Sequence, residues 1–419
     1  MEKETVIIAG AGAAGLMAAR ELIGDYDVIV LEASSRLGGR IWSKPLHDAT
    51  IVEAGAEFIH GHQAETLKLL KQAGIGYVRT EGRMYHKEKE AWLKQTEMIE
   101  GWDELLQNMK KLKTDMTLHD FLHTYFSENK YADLRRNAVH YATGFDLVDV
   151  HKASVRSLYN EWSHEEEVTF RIPEGYSALL NFLKEDCEKK GCRILTDQIV
   201  KQVDWEKNEV TVSTVGRQEF QGNKFIATLP LSILQKTGHR YSLNFTPPLD
   251  EYIKAANDIA MGAVVKVVML FRQGFWKEDM GFVFSDEMFP TWWTQLPDEK
   301  KILTGWAGGP KADQLSDQSD NEILEKAYLS LSSIFNCGLA ELKQNTSEAF
   351  VFNWQNETLS LHGYSYDTLR TGAARRILNT PANDTLFFAG EALYDGRSPG
   401  TVEAAFVSGK EVARKLRRS

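Results

Sequence analysis

A glycine-rich turn near the amino terminus limits the possible folds more than any other feature. The apolar run Thr5–Ala9 predicts a strand, GAGAAG follows at residues 10–15, and LMAARELI predicts a helix. A second apolar run, DVIVL, ends directly before Glu32, so the whole pattern occupies about thirty residues. This order of strand, Gly-x-Gly-x-x-Gly, helix, strand and acid predicts a Rossmann-like βαβ unit, in an α/β fold that binds a dinucleotide.

Each glycine of the turn has a separate physical role. Gly10 permits the tight turn, Gly12 lets the backbone approach a pyrophosphate, and Gly15 lets the helix pack closely on the strand. The helix N-terminus adds N–H groups and a favourable dipole, and a carboxylate after the second strand can accept hydrogen bonds from a ribose. The residues predicted to hold the dinucleotide here are Gly10, Gly12, Ala13, Ala14, Gly15, Glu32 and Ala33.

Composition narrows the class of protein. With 419 residues, 43% of them hydrophobic and 26% charged, the chain can form two or three structural units. The net charge of -10 argues against a nucleic-acid partner and mildly favours cationic small molecules. The three cysteines lack disulfide-framework or metal-site spacing, and no apolar run reaches the ~18 residues of a membrane span. We therefore expect a soluble, cytoplasmic protein without a metal or a membrane partner.

Three further segments carry a family resemblance. They are EASSRLGGRIWS at residues 32–43, EAGAEFIHG at 53–61 and FFAGEALYDGRSPGTVEAAFVSG at 387–409. Together with the glycine-rich turn they resemble the FAD-containing amine oxidases, which include monoamine oxidases, polyamine oxidases, flavin-dependent histone demethylases and L-amino-acid oxidases. The motifs are most similar to those of polyamine oxidases. The resemblance implies FAD as the cofactor.

The resemblance also implies which residues surround FAD. Arg40 is suited to the pyrophosphate, Val200 to the adenine, and Glu391 to the ribityl or pyrophosphate region. Thr401 and Val402 are predicted to open the last helix, whose N–H groups can stabilise negative charge on the flavin. The implied cofactor-binding residues beyond the first turn are Gly39, Arg40, Gly55, Ala56, Glu57, Val200, Trp354, Gly390, Glu391, Thr401 and Val402.

A lysine interrupts an apolar segment at Val264–Phe271, which reads VVKVVMLF. If the segment is a strand, Lys266 points to the same side as its apolar neighbours at alternate positions. Burial of an ammonium is costly unless it is paired or faces a polar group, so the alternatives are an edge strand with a solvated lysine and a functional lysine. The segment resembles the one in which amine oxidases hold a water next to flavin N5 through a lysine. That resemblance favours Lys266 as a base, proton relay or promoter of oxygen reactivity.

Other residues are implied on the substrate side. Tyr364, ten residues after Trp354, matches the tyrosine that forms an aromatic wall in the family. His60 and Thr401 stand where polyamine oxidases have similar residues, which implies a place on the substrate side. Glu57 either contacts the substrate ammonium or belongs to a supporting salt bridge. Gly363 occupies the position of the cysteine that binds FAD covalently in monoamine oxidases, so we expect noncovalent FAD.

The middle of the chain predicts a second domain. Residues 64–162 have a helical and polar pattern, with a capping start at Thr117, and residues 250–365 alternate strands and helices. We predict a discontinuous Rossmann-like FAD-binding domain interwoven with an α+β substrate domain of mixed sheet and helices. The predicted FAD-binding domain comprises 1–75, 170–245 and 366–419, and the substrate-binding domain comprises 76–169 and 246–365.

The implied reaction transfers hydride from the carbon α to an amine nitrogen to flavin N5, which gives an imine. Oxygen then reoxidises the flavin and forms hydrogen peroxide, and the substrate is a polyamine or another primary or secondary amine. One alternative is an L-amino-acid oxidase, which needs an arginine such as Arg156 for the substrate carboxylate. An NAD(P)H-linked flavin reductase is disfavoured because a second Gly-x-Gly-x-x-Gly is absent. A non-catalytic flavoprotein is disfavoured by Lys266 and the aromatic residues.

Overall fold

The computed structural model describes residues 3–47, 50–88, 91–94, 100–164 and 168–418. The strands are β1 (Thr5–Ala9), β2 (Asp27–Leu31), β3 (Ser43–Pro45), β4 (Ile51–Glu53), β5 (Phe58–His60), β6 (Val78–Arg79), β7 (Arg83–Glu88), β8 (Ala91–Lys94), β9 (Thr169–Arg171), β10 (Arg193–Leu195), β11 (Val200–Glu206), β12 (Glu209–Thr214), β13 (Glu219–Gly222), β14 (Lys224–Ala227), β15 (Asn244–Thr246), β16 (Ala260–Met261), β17 (Val264–Phe271), β18 (Met280–Phe284), β19 (Thr291–Trp293), β20 (Ile302–Gly308), β21 (Thr346–Asn353), β22 (Ser365–Tyr366) and β23 (Leu386–Phe388).

The α-helices follow the same chain order. They are α1 (Ala13–Leu22), α2 (Ala64–Ala73), α3 (Trp102–Lys110), α4 (Leu118–Tyr125), α5 (Ala132–Gly144), α6 (Val155–Trp162), α7 (Ser177–Lys189), α8 (Leu231–Gln235), α9 (Asp250–Asn257), α10 (Pro310–Asp313), α11 (Asp320–Phe335), α12 (Leu339–Asn345), α13 (Thr371–Leu378) and α14 (Val402–Leu416). Among the described residues, every helix is too short or too polar to cross a bilayer.

The chain divides into two compact units. The first comprises Met1–Tyr77, Ile172–Met261 and Glu357–Ser419, and the second comprises Val78–Arg171 and Gly262–Asn356. Residues 246–261 and 357–365, which the sequence suggested for the substrate domain, belong to the first unit. The names FAD-binding and substrate-binding domain remain predictions for these two units.

A parallel sheet forms the centre of the first unit. Its strands lie in the order β10, β2, β1, β14, β23, and each pair of neighbours is parallel. Val6, Ile7 and Ile8 are fully buried, because both faces of such a sheet are covered. One face packs on a second sheet, of order β13, β12, β11, β15, through a core that includes Ile7, Phe225 and Val212. Strand β1 lies between β2 and β14, and the strand order changes direction at this point of the sheet. In such sheets a ligand crevice forms at the carboxyl end of the strand where the order changes, which here is β1.

A seven-stranded mixed sheet of order β21, β17, β20, β19, β18, β7, β8 organises the second unit. Val265, Val267 and Met269 of β17 face a core closed by helix α11. The alternate residues of β17, including Lys266, therefore lie on the opposite face of the sheet.

The helical prediction for residues 64–162 is wrong over part of its range. Residues 78–79, 83–88 and 91–94 are the strands β6, β7 and β8, of which β7 pairs with β18 and β8. The predicted capping start is confirmed, because the Thr117 hydroxyl accepts the Asp120 N–H at 3.2 Å and α4 begins at Leu118.

Candidate active site

The turn between β1 and α1 forms an open cradle in the first unit. Gly10 has φ of 105°, and a Cβ on Gly15 would lie 1.9 Å from the Gly10 carbonyl oxygen, so both positions require glycine. A Cβ on Gly12 would instead have its nearest neighbour, the Gly38 carbonyl, at 3.9 Å. Gly12 is the N-cap of α1 and has no side chain to cap the first turn. This leaves room and N–H donors at the helix N-terminus, a geometry that fits a pyrophosphate.

Glu32 lies beside this cradle at the end of β2. Its carboxylate accepts the Ala11 N–H at 2.7 Å and the Ser34 N–H at 3.0 Å, and the residue is 7% exposed. Burial raises the pKa of Glu32, and the backbone hydrogen bonds oppose that shift. Each carboxylate oxygen has a further lone pair, which can accept a hydrogen bond from a ribose hydroxyl.

The segment before β11 runs alongside Glu32. The Glu32 N–H donates to the Leu195 carbonyl at 2.8 Å, and the Gln198 N–H donates to the Glu32 carbonyl at 2.8 Å. Val200, which begins β11 and is 5% exposed, follows two residues later. Glu32, Ala33 and Val200 therefore belong to neighbouring segments of chain, as an adenosine site requires.

Arg40 and Glu391 form an ion pair. The Arg40 Nη1 lies 2.8 Å from Glu391 Oε1 and also donates to the Gly363 carbonyl at 2.6 Å. The Ser365 hydroxyl donates to the second Glu391 oxygen at 2.6 Å. The sequence suggested separate contacts of Arg40 and Glu391 with FAD, whereas the structure joins them and connects them to the loop that carries Gly363.

The segment between β4 and β5 carries further predicted residues. Gly55, Ala56 and Glu57 fill this connection, and the Ala56 N–H donates to the Arg40 carbonyl at 3.2 Å. Glu57 is 8% exposed. His60 ends β5, and desolvation lowers the pKa of its ring to about 4, so the imidazole is neutral at pH 7. A neutral imidazole can donate at one nitrogen and accept at the other.

The last helix begins where the sequence predicted. The Thr401 hydroxyl accepts the Ala404 N–H at 3.1 Å and donates to the Ser398 carbonyl at 2.7 Å, so Thr401 is the N-cap and Val402 the first helical residue. A Cβ on Gly400 would lie 2.9 Å from the Tyr364 ring, which shows that Tyr364 packs against this turn. Tyr364 and Thr401 are thus brought together at the N-terminus of α14.

Lys266 is buried in the second unit. Strand β17 lies between β20 and β21, so the edge-strand alternative is wrong, and Lys266 is 1% exposed. Its cross-strand neighbours are Trp306 and Phe352, and its ammonium nitrogen lies 5.5 Å from the centre of the Trp293 ring. Trp354 follows β21 and is 5% exposed, and its backbone N–H donates to the Val264 carbonyl at 3.2 Å.

The model of the flavin containing amine oxidoreductase family matches residues 13–417. The chain belongs to this family. The match confirms the predicted family, the Rossmann-like α/β fold class and FAD as the cofactor.

Several known proteins are similar to nearly the whole chain. Lysine-specific histone demethylase 2 of Homo sapiens is 26% identical over 99% of this chain and 53% of its own length. Polyamine oxidase 2 of Arabidopsis thaliana is 25% identical over 99% of this chain and 88% of its own. The chain thus spans about half the length of the demethylase.

Two solved structures share the fold of this chain. Putrescine oxidase bound to putrescine superposes with a TM-score of 0.83 at 19% identity, covering 100% of this chain and 99% of the other. Cyclohexylamine oxidase from Brevibacterium oxydans gives a TM-score of 0.80 at 18% identity, with 99% of each chain covered.

Two residues that hold a turn and a helix end of the first unit in place were missed from the sequence. Arg36 donates to the carbonyls of Leu37, Gly39 and Ile41, and so holds the second glycine turn in place. Glu403, 7% exposed, accepts hydrogen bonds at the N-terminus of α2. Arg36 could have been found from its place in SRLGGR, directly before a turn with open carbonyls, whereas Glu403 reads in the sequence as an ordinary first-turn acid.

Proposed function

We propose that the chain is an FAD-dependent amine oxidase that converts a primary or secondary amine to an imine and uses O₂ as the electron acceptor, forming H₂O₂. A polyamine is the first substrate to test, because polyamine oxidase and putrescine oxidase are among the similar proteins. FAD supplies the hydride acceptor and the two-electron donor to oxygen. Because Gly363 offers no thiol, we propose that FAD is bound noncovalently. We also propose that the protein is cytoplasmic.

The residues of the first unit fit the binding of FAD. The open turn at Gly12 and the N-terminus of α1 would hold the pyrophosphate, and Glu32 would hold the ribose. The N-terminus of α14, opened by Thr401, would place N–H donors against negative charge. The imidazole of His60 is neutral at pH 7, so it would not repel a cationic amine. The ring of Tyr364 would attract the cation as it approaches.

Lys266 is the main support for a catalytic function. Burial of a lysine among aromatic side chains costs stability, so a purely structural role is a poor explanation for it. On its face of the sheet the cross-strand registers place Trp306, Phe352 and Phe350, and then Trp293 and Phe282. Such rings exclude water and attract a cation. An ammonium held there can move a proton through a water, and it can stabilise the negative charge that develops on O₂ as it is reduced.

The alternative of an L-amino-acid oxidase gains no support from Arg156. That side chain lies on the exposed side of α6 and donates to the Lys113 carbonyl at 3.2 Å. A guanidinium turned to solvent is not placed to recognise a substrate carboxylate in a closed pocket.

The test is an aerobic peroxide-release screen of polyamines, monoamines, a methyl-lysine peptide and amino acids, with the Lys266→Met variant in parallel. Methionine suits the packing of β17, so FAD and the fold should be retained. The rate should fall by about 100-fold or more, the usual loss on removing a positioned proton-transfer or electrostatic group. Stopped-flow spectroscopy should place the larger defect in reoxidation by O₂.

Lys130→Met, at a position 60% exposed in the same unit, is the matched control and should leave both half-reactions unchanged. Wild-type rates of both half-reactions in Lys266→Met would show that Lys266 is structural. Absence of peroxide with every amine would refute the oxidase activity itself.

A further inference from the structure

Two adjacent tryptophans on β19 point to opposite faces of the large sheet. Trp292 is fully buried in the core on the α11 side, and its ring N–H donates to the Phe289 carbonyl at 3.0 Å. Trp293 lies across from Thr304, which in turn lies across from Val268. Since Val268 and Lys266 are two positions apart on β17, Trp293 shares the face of Lys266.

The ring of Trp293 lies next to the Lys266 ammonium. The nitrogen lies 5.5 Å from the ring centre, within the range of a cation–π interaction, and the two residues are 5% and 1% exposed. Such an interaction strengthens when both groups are withdrawn from water. The contact therefore restrains where the ammonium can lie.

Other rings fix the orientation of Trp293. Trp306 packs on one part of it, with ring centres 6.2 Å apart and planes tilted by 47°, and Phe282 packs on another at 6.0 Å. Trp306 is itself held by a hydrogen bond from its ring N–H to the Gly144 carbonyl at 2.8 Å. The surface that Lys266 meets is thus preorganised by packing, and it is not a single mobile side chain.

We propose that Trp293 is a positioning residue that holds the Lys266 ammonium in the place where it acts. The inference rests on the proposed function of Lys266, and it assigns Trp293 no contact with the amine or with FAD. Its effect on the reaction passes through Lys266, so it should disappear when Lys266 is replaced.

A double-mutant cycle tests this dependence. We expect Trp293→Leu to retain FAD and to slow reoxidation of the reduced holoenzyme by roughly 5- to 30-fold, the range of a partly to fully desolvated cation–π contact. Trp293→Phe keeps a ring and should recover most of the rate. In the Lys266→Met background, Trp293→Leu should have no further effect. Trp292→Phe is the matched control, which should lower stability without changing the rate constant.

A second readout does not depend on activity. The same four proteins of the Lys266/Trp293 cycle, unfolded in urea, should show a coupling of roughly 5- to 30-fold in the unfolding equilibrium constant. If Trp293→Leu does not fold, wild type and Trp293→Phe are compared after growth on fluorotryptophan, which weakens the cation–π interaction with little change in shape. Only the protein with Trp293 should then lose rate.

The outcomes separate the two proposals. An unchanged rate in Lys266→Met refutes the function assigned to Lys266, whereas the unfolding cycle still measures the contact. A slow Lys266→Met variant in which Trp293→Leu keeps its full additional effect overturns the positioning role of Trp293. The positioning role is also overturned if fluorotryptophan slows wild type and Trp293→Phe by the same factor.

Discussion

Replacement of Glu403 by alanine should destabilise the first unit more than any change on the exposed side of the same helix. The Glu403 carboxylate accepts the Glu65 N–H and the Thr66 N–H at 2.8 Å each, and the Thr66 hydroxyl at 2.7 Å. Gln63, the N-cap residue of α2, provides no side-chain cap. Glu403 therefore caps α2 from a position more than 330 residues away in the chain.

The expected loss follows from these contacts. Hydrogen bonds to a charged acceptor contribute about 1.5–3 kcal/mol each, and an acid at a helix N-terminus adds about 0.3–1 kcal/mol. The contributions are not additive, because the donors share one carboxylate and water can reach part of the space left by its removal. Thr66 is fully buried, however, so its N–H and hydroxyl lose their acceptor inside the protein. We expect Glu403→Ala to lower the free energy of unfolding by about 3–5 kcal/mol.

Urea unfolding of the holoenzyme, followed by circular dichroism, measures this loss. Glu403→Gln keeps one acceptor oxygen and should cost less than Glu403→Ala, whereas Glu411→Ala, at an exposed position on α14, should change stability by less than about 0.5 kcal/mol. FAD should also dissociate faster from Glu403→Ala, since α14 begins at Thr401. A loss below about 1 kcal/mol in Glu403→Ala would refute the capping role.

Three further outcomes are expected. Gly15→Ala should abolish FAD retention, because its Cβ would lie 1.9 Å from the Gly10 carbonyl, whereas Gly24→Ala meets nothing within 4 Å and should retain FAD. Acid precipitation should release all flavin, since Gly363 has no thiol, and colour left in the pellet would contradict this. The pKa of His60 is lowered from 6.5 to about 4, so its contribution to stability is complete above pH 6.5 and is lost as the pH falls toward 4. His60→Phe should remove that part of the acid dependence in urea titrations at successive pH values.

Local patterns allowed the sequence to predict the cofactor cradle and the start of α14. The strand at Thr5–Ala9, the helix after the glycines and the cap at Thr401 depend on residues within a few positions of each other. Propensity, periodicity and capping act over that range, so these elements were correctly placed.

The helical prediction failed at β7, where polar side chains are buried and an apolar one is exposed. In β7, Tyr85 and Lys87 are 2% and 7% exposed, whereas the apolar Met84 is 46% exposed. An inward lysine and an outward methionine hide the alternation of apolar and polar residues that identifies a strand. The pairing of β7 with β18 joins residues 197 or 198 positions apart, such as Arg83 with Met280 and Met84 with Phe282. The Arg40–Glu391 pair could not be predicted because it depends on which distant segments become neighbours. For Lys266 the residues of β17 alone left an edge and an internal strand open, and only the family resemblance favoured the functional lysine.

The packing of α14 on α1 has a consequence for the biogenesis of the protein. A Cβ on Gly409 would lie 2.3 Å from the Ala14 carbonyl oxygen, so the two helices are in close contact beside the glycine-rich turn. During translation the turn is made before the helix that supports it, Val402–Leu416, because most of the first unit and all of the second unit lie between them in the chain. We therefore expect FAD to be loaded only after α14 has been made, and we expect a chain that ends before residue 402 to carry the nucleotide motif without the helix that supports it.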